Sequence, residues 1–215
     1  MIPDWTGERG RMVETQLRRR GIRDERVLAA MLQAPREEFV APENRISSYA
    51  DAPSAIGYGQ TISQPYMTAL MAEALQLTGE ETVLEVGAGS GYAAAVLGLL
   101  AARVITTELV PALAITAAGN LKRTGYGNNV TVIQGDGSLG CPEMGPFDAI
   151  SVAAAAPRMP DALLEQLKDG GSLVIPVGDW NDQELQVVRK CGGRLETRVA
   201  TLCRFVPLLG GGGWR

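Results

Sequence analysis

Apolar and polar residues follow two different periods along this chain. Over residues 8–33 the apolar positions Met12, Leu17, Val27, Leu28, Met31 and Leu32 recur near every 3.6 residues, which predicts helix in two pieces. Gly21 separates the pieces, Asp24 is placed to cap the second, and Pro35 stops it. Residues 34–63 keep neither period and are rich in Pro, Ser, Gly and Tyr. An irregular stretch of about 30 residues is long for a packed domain, and such segments often carry function. Helical spacing returns from Pro65 to Leu77, where Met67, Leu70, Met71, Ala74 and Leu75 form a stripe read as core. Beyond residue 82, short apolar runs at Thr82–Val86, Arg103–Glu108, Val130–Gly137, Phe147–Ala153 and Ser172–Val177 read as buried strands. Helical runs at Tyr92–Ala101 and Pro160–Leu167 interleave with them. Glu184–Arg189 and Leu195–Pro207, joined by Gly192-Gly193, read as a hairpin. The expectation is an α/β fold: a doubly wound sheet of about seven strands, antiparallel at its C-terminal end, with extra N-terminal helices. One domain is expected over 1–215, with N-terminal helices and a functional loop in 1–80, the sheet in 81–208 and a flexible tail in 209–215.

The first strand of that series ends in Glu85-Val86-Gly87-Ala88-Gly89-Ser90-Gly91-Tyr92. A glycine-rich turn there sets backbone N–H groups at the carboxyl edge of a parallel sheet, where open α/β folds bind ligands. The spacing is E-x-G-x-G-x-G. The dinucleotide fingerprint G-x-G-x-x-G, counted from Gly87, would need glycine where Tyr92 stands. This form is typical of S-adenosylmethionine sites on Rossmann-like sheets, with the acid before the first glycine facing the cationic amino acid part of the ligand. A nucleotide site and a purely structural turn are the alternatives. Glu108 ends the next strand about 20 residues on, where a carboxylate reaches ribose hydroxyls. Gly135-Asp136-Gly137 ends the third, and Asp136 can accept from an adenine amino group or simply form a turn. The expected cofactor residues are therefore Glu85, Gly87, Ala88, Gly89, Ser90, Gly91, Glu108, Leu109, Asp136 and Gly137.

Composition narrows the chemistry. The 215 residues are 46% hydrophobic and 20% charged, with a net charge of −4, which gives no sign of nucleic-acid binding. No apolar run approaches the roughly 20 residues of a membrane span, and the N-terminus lacks a signal-peptide pattern. Cys141, Cys191 and Cys203 are scattered without metal spacing, which suggests reduced thiols in a cytoplasmic protein. The chain has no histidine, which excludes Ser-His-Asp and Cys-His catalysis and histidine metal sites.

Further motifs carry a family resemblance. Pro35-Arg36-Glu37-Glu38-Phe39-Val40, Ile56-Gly57-Tyr58-Gly59-Gln60-Thr61-Ile62-Ser63-Gln64-Pro65, Ala153-Ala154-Ala155-Ala156-Pro157, Gln166 to Gly178 and Phe205-Val206-Pro207-Leu208 resemble protein-L-isoaspartate (D-aspartate) O-methyltransferases over residues 10–208. The Gly57–Pro65 segment is the most diagnostic. Departures are Ser54-Ala55, Leu139-Gly140-Cys141 and the tetraglycine at 210–213. The resemblance implies methyl transfer from S-adenosylmethionine, giving S-adenosylhomocysteine, to the α-carboxylate of L-isoaspartyl residues in damaged proteins. The ester then cyclises to a succinimide; acceptance of D-aspartyl residues stays open. It implies Ser63 at the reacting carboxylate with Thr61 in support. Peptide contacts fall to Ile56, Gly57, Tyr58, Gln60, Val206, Pro207 and Leu208. Ser63 is also placed to cap the helix at Pro65. A monomer with no nucleic-acid or membrane partner is expected. Competing readings are an aspartimide-forming methyltransferase of peptide natural products, a nicotinamide-dependent oxidoreductase and a non-catalytic S-adenosylmethionine sensor.

Overall fold

Seven strands form the central sheet of the computed structural model, which describes residues 4–214. In chain order they are β3 (Thr82–Val86), β4 (Arg103–Glu108), β5 (Val130–Gln134), β6 (Phe147–Val152), β7 (Leu167–Gly178), β8 (Gln183–Cys191) and β9 (Arg194–Cys203). Their spatial order is β5-β4-β3-β6-β7-β8-β9. The first five are parallel, and β8 and β9 add antiparallel. From β3 the chain winds outward through β4 and β5, then crosses back to β6 on the other side of β3. That reversal opens a crevice at the carboxyl end of β3, the usual ligand position in such sheets.

Helices cover both faces unequally. Val83, Val104, Ala149 and Val174 share one core with α1 (Trp5–Met12), α2 (Glu25–Gln33), α3 (Pro65–Leu75), α4 (Tyr92–Gly98) and Leu121 of α5 (Pro111–Thr124). On the other face Leu84, Val86, Ile105, Ile150 and Val152 pack against Leu163 of the short α6 (Asp161–Glu165) and against Cys141. The two cores follow from the pleat: alternate residues of buried parallel strands point to opposite faces, so both must be apolar.

The N-terminal region follows the predicted breaks. After α1 the chain widens to a π turn over Val13–Leu17 and tightens to a 3-10 turn over Arg18–Arg20. It then reverses at Gly21, whose φ of 102° a side chain would resist. Asp24 caps α2 through Arg26 N–H at 2.8 Å. The irregular segment is more ordered than expected. It holds two 3-10 turns and a hairpin, β1 (Ser54–Gly57) with β2 (Gln60–Ile62), turned through Tyr58 at φ 54° and Gly59 at φ 71°. Strands of four and three residues are too short for alternation to show. The helix expected at Pro160–Leu167 is only Asp161–Glu165, because Leu167 already pairs with Phe147 as strand.

The expectation of a flexible tail is corrected for residues 209–214. Gly211 N–H donates to Asp136 at 2.8 Å, Gly212 N–H to Ser138 Oγ at 2.9 Å, and Trp214 Nε1 to the Ala155 carbonyl at 3.0 Å. The Trp214 ring lies 4.8 Å from that of Trp180. The glycines permit this fit: a Cβ on Gly213 would lie 2.0 Å from the Leu208 carbonyl oxygen.

Candidate active site

A cleft of about 100 Å³ lies at the carboxyl edge of β3, the usual ligand position in such sheets. One wall is the glycine turn. Gly87 and Ala88 donate to the Thr107 carbonyl at 2.9 and 3.0 Å, and Gly91 donates to Ala88 at 2.8 Å. Gly91 precedes α4 at φ 89°, where a Cβ would meet the Ala117 carbonyl oxygen at 3.1 Å. Glu108 locks this wall to the end of β4. One carboxylate oxygen accepts Gly89 N–H at 2.8 Å and the other accepts Val110 N–H at 2.9 Å. Gly137 closes the floor so tightly that a Cβ would stand 2.1 Å from Thr107 Oγ1.

The opposite wall holds Gln60, Thr61, Ile62 and Ser63, and Val206, Pro207 and Leu208 border it. Sequence placed Ser63 as the cap of α3. Instead Gln64 is the N-cap residue, with Pro65 in the first helical position, and Ser63 stands one residue outside the helix. Its hydroxyl has no hydrogen-bond partner among the described residues. Ser63 borders the cleft, a small void behind the glycine turn, and a third cavity of about 40 Å³ that reaches Gln64, Met67, Arg204 and Phe205.

The expected site residues divide accordingly. Thr61, Ser63, Gln60, Gly87, Ala88, Gly89, Ser90, Glu108, Leu109, Gly137, Val206, Pro207 and Leu208 all line the cleft. Ile56, Gly57 and Tyr58 do not. Tyr58 is 66% exposed at the hairpin tip, while Ile56 lies close enough to crowd a Cβ on Gly89 at 3.1 Å. Asp136 is also outside the lining; its carboxylate accepts from Ser138 N–H, the Ser138 hydroxyl and Gly211 N–H. Gly91 sits behind the turn as the α4 cap. Glu85 is 1% exposed and lies behind the turn, lining the small void with Ser63, Thr68, Ala93 and Ser151. One of its oxygens accepts from the Thr106 hydroxyl and the other has no partner. Burial pushes the Glu85 carboxyl up to about 8; the Thr106 bond opposes this and the Glu108 charge adds to it. Cleft residues missed from sequence include Thr68, Tyr92, Ala153 and Leu209. Ala153 directly follows β6, and its position at the carboxyl edge was the available signal.

Among the described residues no lysine or arginine lines the cleft, whose wall carries the Glu108 carboxylate. Such a surface suits a ligand with positive charge better than a pyrophosphate. S-adenosylmethionine, with its sulfonium and ammonium groups, fits this donor set and the close backbone approach.

The family model described as protein-L-isoaspartate(D-aspartate) O-methyltransferase matches residues 8–213. A protein-L-isoaspartate O-methyltransferase of Koribacter versatilis is 54% identical over 215 residues, covering 99% of this chain and 96% of the relative. A solved structure of a protein-L-isoaspartate O-methyltransferase superposes with a TM-score of 0.83 at 30% identity, over 96% of this chain and 67% of that one. A Plasmodium falciparum structure described as a putative enzyme of this type, in complex with S-adenosyl-L-homocysteine, gives 0.80 at 29% identity over 97% and 99% of the two chains.

Proposed function

The chain belongs to the protein-L-isoaspartate (D-aspartate) O-methyltransferase family, and from that premise we propose how its own residues carry the reaction. It is an S-adenosylmethionine-dependent protein repair methyltransferase, which esterifies the α-carboxylate of L-isoaspartyl residues. Bound S-adenosylmethionine supplies an activated methyl group. The acceptor carboxylate has an ordinary pKa near 3.5 to 4, so it is ionised at neutral pH and needs no base. A chain without histidine therefore lacks nothing that the chemistry requires.

What the protein must do is orient the carboxylate and strip its water. The observation that carries the proposal is the Ser63 hydroxyl, which borders both the cofactor cleft and the third cavity. Ser63 donates to the reacting carboxylate, and Thr61 supports it from β2. One or two neutral donors hold the group without quenching its nucleophilicity, as an arginine would. Glu108 takes the ribose hydroxyls, and Gly137 allows the adenine end to lie close to the floor. Val206, Pro207 and the β1–β2 hairpin receive the peptide through main-chain contacts, so sequence tolerance is broad. After release, the neighbouring backbone nitrogen attacks the ester, methanol leaves, and the succinimide hydrolyses partly to normal aspartate.

No helix among the described residues is long and apolar enough to cross a membrane. The free thiols of Cys141, Cys191 and Cys203 support a reducing, cytoplasmic setting. Aspartimide formation on a dedicated peptide is not favoured, since the relatives matched along nearly their whole length are isoaspartate methyltransferases. The test is methyl transfer from labelled S-adenosylmethionine to a matched pair of isoaspartyl and aspartyl peptides. Base-labile label on the isoaspartyl peptide alone is expected; equal labelling of both, or of neither, overturns the reading.

A further inference from the structure

The chain holds the pair Asp-Gly twice, at Asp136-Gly137 and at Asp169-Gly170. Aspartyl residues isomerise most readily before glycine, which puts no Cβ in the way when its nitrogen turns onto the preceding side-chain carboxyl. The two pairs stand in opposite settings. Asp136 has both carboxylate oxygens occupied, one by Ser138 and the other by Gly211 N–H. Gly137 is wedged against Thr107 and Val86. Neither residue has room to turn onto the other. Asp169 and Gly170 are both exposed, with Gly170 at φ 81° and open space where its Cβ would be. Among the described residues one hydrogen bond reaches the Asp169 side chain, from Gly193 N–H at 3.0 Å in the exposed β8–β9 turn.

The register of β7 frees this second pair. Phe147 pairs with Leu167 and Ala149 with Ser172, so Asp148 alone faces residues 168–171. Pairing of β7 with β8 also begins at Ser172. Residues 168–171 therefore bulge out of the ladder, anchored at the base by the ion pair of Lys168 with Asp148 at 2.9 Å. Isomerisation routes the main chain through the aspartate side chain, adding one methylene to it and leaving the α-carboxylate free. In a paired strand that extra atom would upset the register. A bulge absorbs it, so the fold tolerates isoaspartate at position 169 and presents its carboxylate to solvent. β7 runs parallel to β6 and β6 to β3, so residue 169, near the start of β7, lies at the amino edge of the sheet. The cleft lies at the carboxyl edge, and no copy of the chain can bring its own residue 169 to its own Ser63.

We propose that Asp169 is a modification site: it isomerises to isoaspartate through Gly170, and a second copy of the chain methylates it there. The Gly170 nitrogen attacks the Asp169 side-chain carboxyl carbon, water leaves, and a succinimide forms. Water then opens the ring; attack at the α-carbonyl leaves Gly170 bonded to the side-chain carbonyl and the α-carboxylate free. Methyl transfer from S-adenosylmethionine esterifies that carboxylate. The Gly170 nitrogen then attacks the ester, methanol leaves, and the succinimide forms again. The bulge at the amino edge thus ages and is repaired in trans, while Asp136 in the cleft wall stays locked. This rests on the function proposed above.

The test ages the whole folded protein for weeks near neutral pH without S-adenosylmethionine. Digestion with a protease that cuts before aspartate but not isoaspartate should then lose its cut before Asp169 and keep the one before Asp136. Fresh wild type and labelled S-adenosylmethionine are next added to aged Ser63→Ala copies, which scarcely methylate by themselves. Base-labile label is expected on the peptide that holds residue 169, at a rate that scales with the amount of fresh enzyme. Asp169→Glu, whose longer side chain closes no five-membered ring, should lose that label after ageing while its turnover on an isoaspartyl peptide stays unchanged. Continued cleavage before Asp169 after ageing overturns the proposal and leaves the function standing. So does an isomerised residue 169 that stays unlabelled while an isoaspartyl peptide is labelled. Label on neither the aged protein nor the isoaspartyl peptide overturns both.

Discussion

The two walls of the cleft are built on opposite terms. The glycine-turn wall is tied down from within: Gly87 and Ala88 N–H go to the Thr107 carbonyl and Gly89 N–H to one oxygen of Glu108, whose other oxygen takes Val110 N–H. It presents a fixed surface to whatever lies against it. The Ser63 wall is unspent. Its hairpin turns through a tyrosine at positive φ, and the Ser63 hydroxyl stands free of the helix it precedes. Saturated polar groups hold a shape, whereas unsatisfied ones need a partner and so select for it. The difference assigns binding of the constant ligand to the first wall, and discrimination of the variable one to the second.

The sharpest way to break this contrast is Ser63→Ala. A donor that only orients the acceptor should cost about 10²-fold in kcat/KM for isoaspartyl peptide, with the dissociation constant of S-adenosylmethionine unchanged. Equal loss of turnover and cofactor binding would show that Ser63 merely holds the wall in place. Gly137→Ala attacks the other wall. The new Cβ must displace Thr107 or Val86, so stability should fall by about 2 kcal/mol in chemical denaturation, with cofactor affinity falling alongside. A variant as stable as wild type would mean that the floor yields and that the tight fit is incidental.

The first wall was legible from sequence because backbone demands leave strong marks: apolar runs for strands buried on both faces, and glycines where the chain turns. β3 and β4 have the bounds that the hydrophobic pattern predicted. The second wall was legible only through resemblance, since β1 and β2 are too short for periodicity to show. Residues 111–124 were not marked as a helix, although α5 fills them; its mix of Ala, Gly, Asn and Thr makes only a weak stripe. Side-chain direction was beyond reach. Glu85 and Asp136 stand at predicted strand ends, yet one points behind the turn and the other is occupied by the tail. The tail itself read as flexible because glycine was taken for freedom, when here it permits close contact.

Glu108 and Glu85 sharpen the comparison further, being the same residue type with opposite partnering: both Glu108 oxygens accept backbone N–H groups, while one Glu85 oxygen has no partner. Glu108→Gln leaves an amide nitrogen where two N–H groups need acceptors, so S-adenosylmethionine should bind about tenfold more weakly in equilibrium dialysis. An unchanged constant removes the ribose assignment. For Glu85 the readout is stability against pH in the ligand-free protein. Its folded ionisation lies above the unfolded value of 4.5, so the folded state holds the extra proton. The stabilisation is complete below pH 4.5 and drains away as pH rises toward 8. Melting temperatures of wild type should therefore fall relative to Glu85→Gln across that window, and parallel curves would show that Glu85 is ionised throughout.

The smallest effect is expected at the tail, which joins the two walls. Trp214→Phe keeps a ring beside Trp180 but loses the bond from the indole nitrogen to the Ala155 carbonyl. One neutral hydrogen bond is worth about 1 kcal/mol. The Ala155 carbonyl also accepts from Leu208 N–H, so it is not orphaned by the change. Because Leu208 and Leu209 line the cleft, loosening the tail should raise the dissociation constant of S-adenosylmethionine by less than about fivefold, while kcat at saturation holds. A fall in kcat with no change in affinity would place the tail on the peptide side of the cleft and shift the boundary between the two walls.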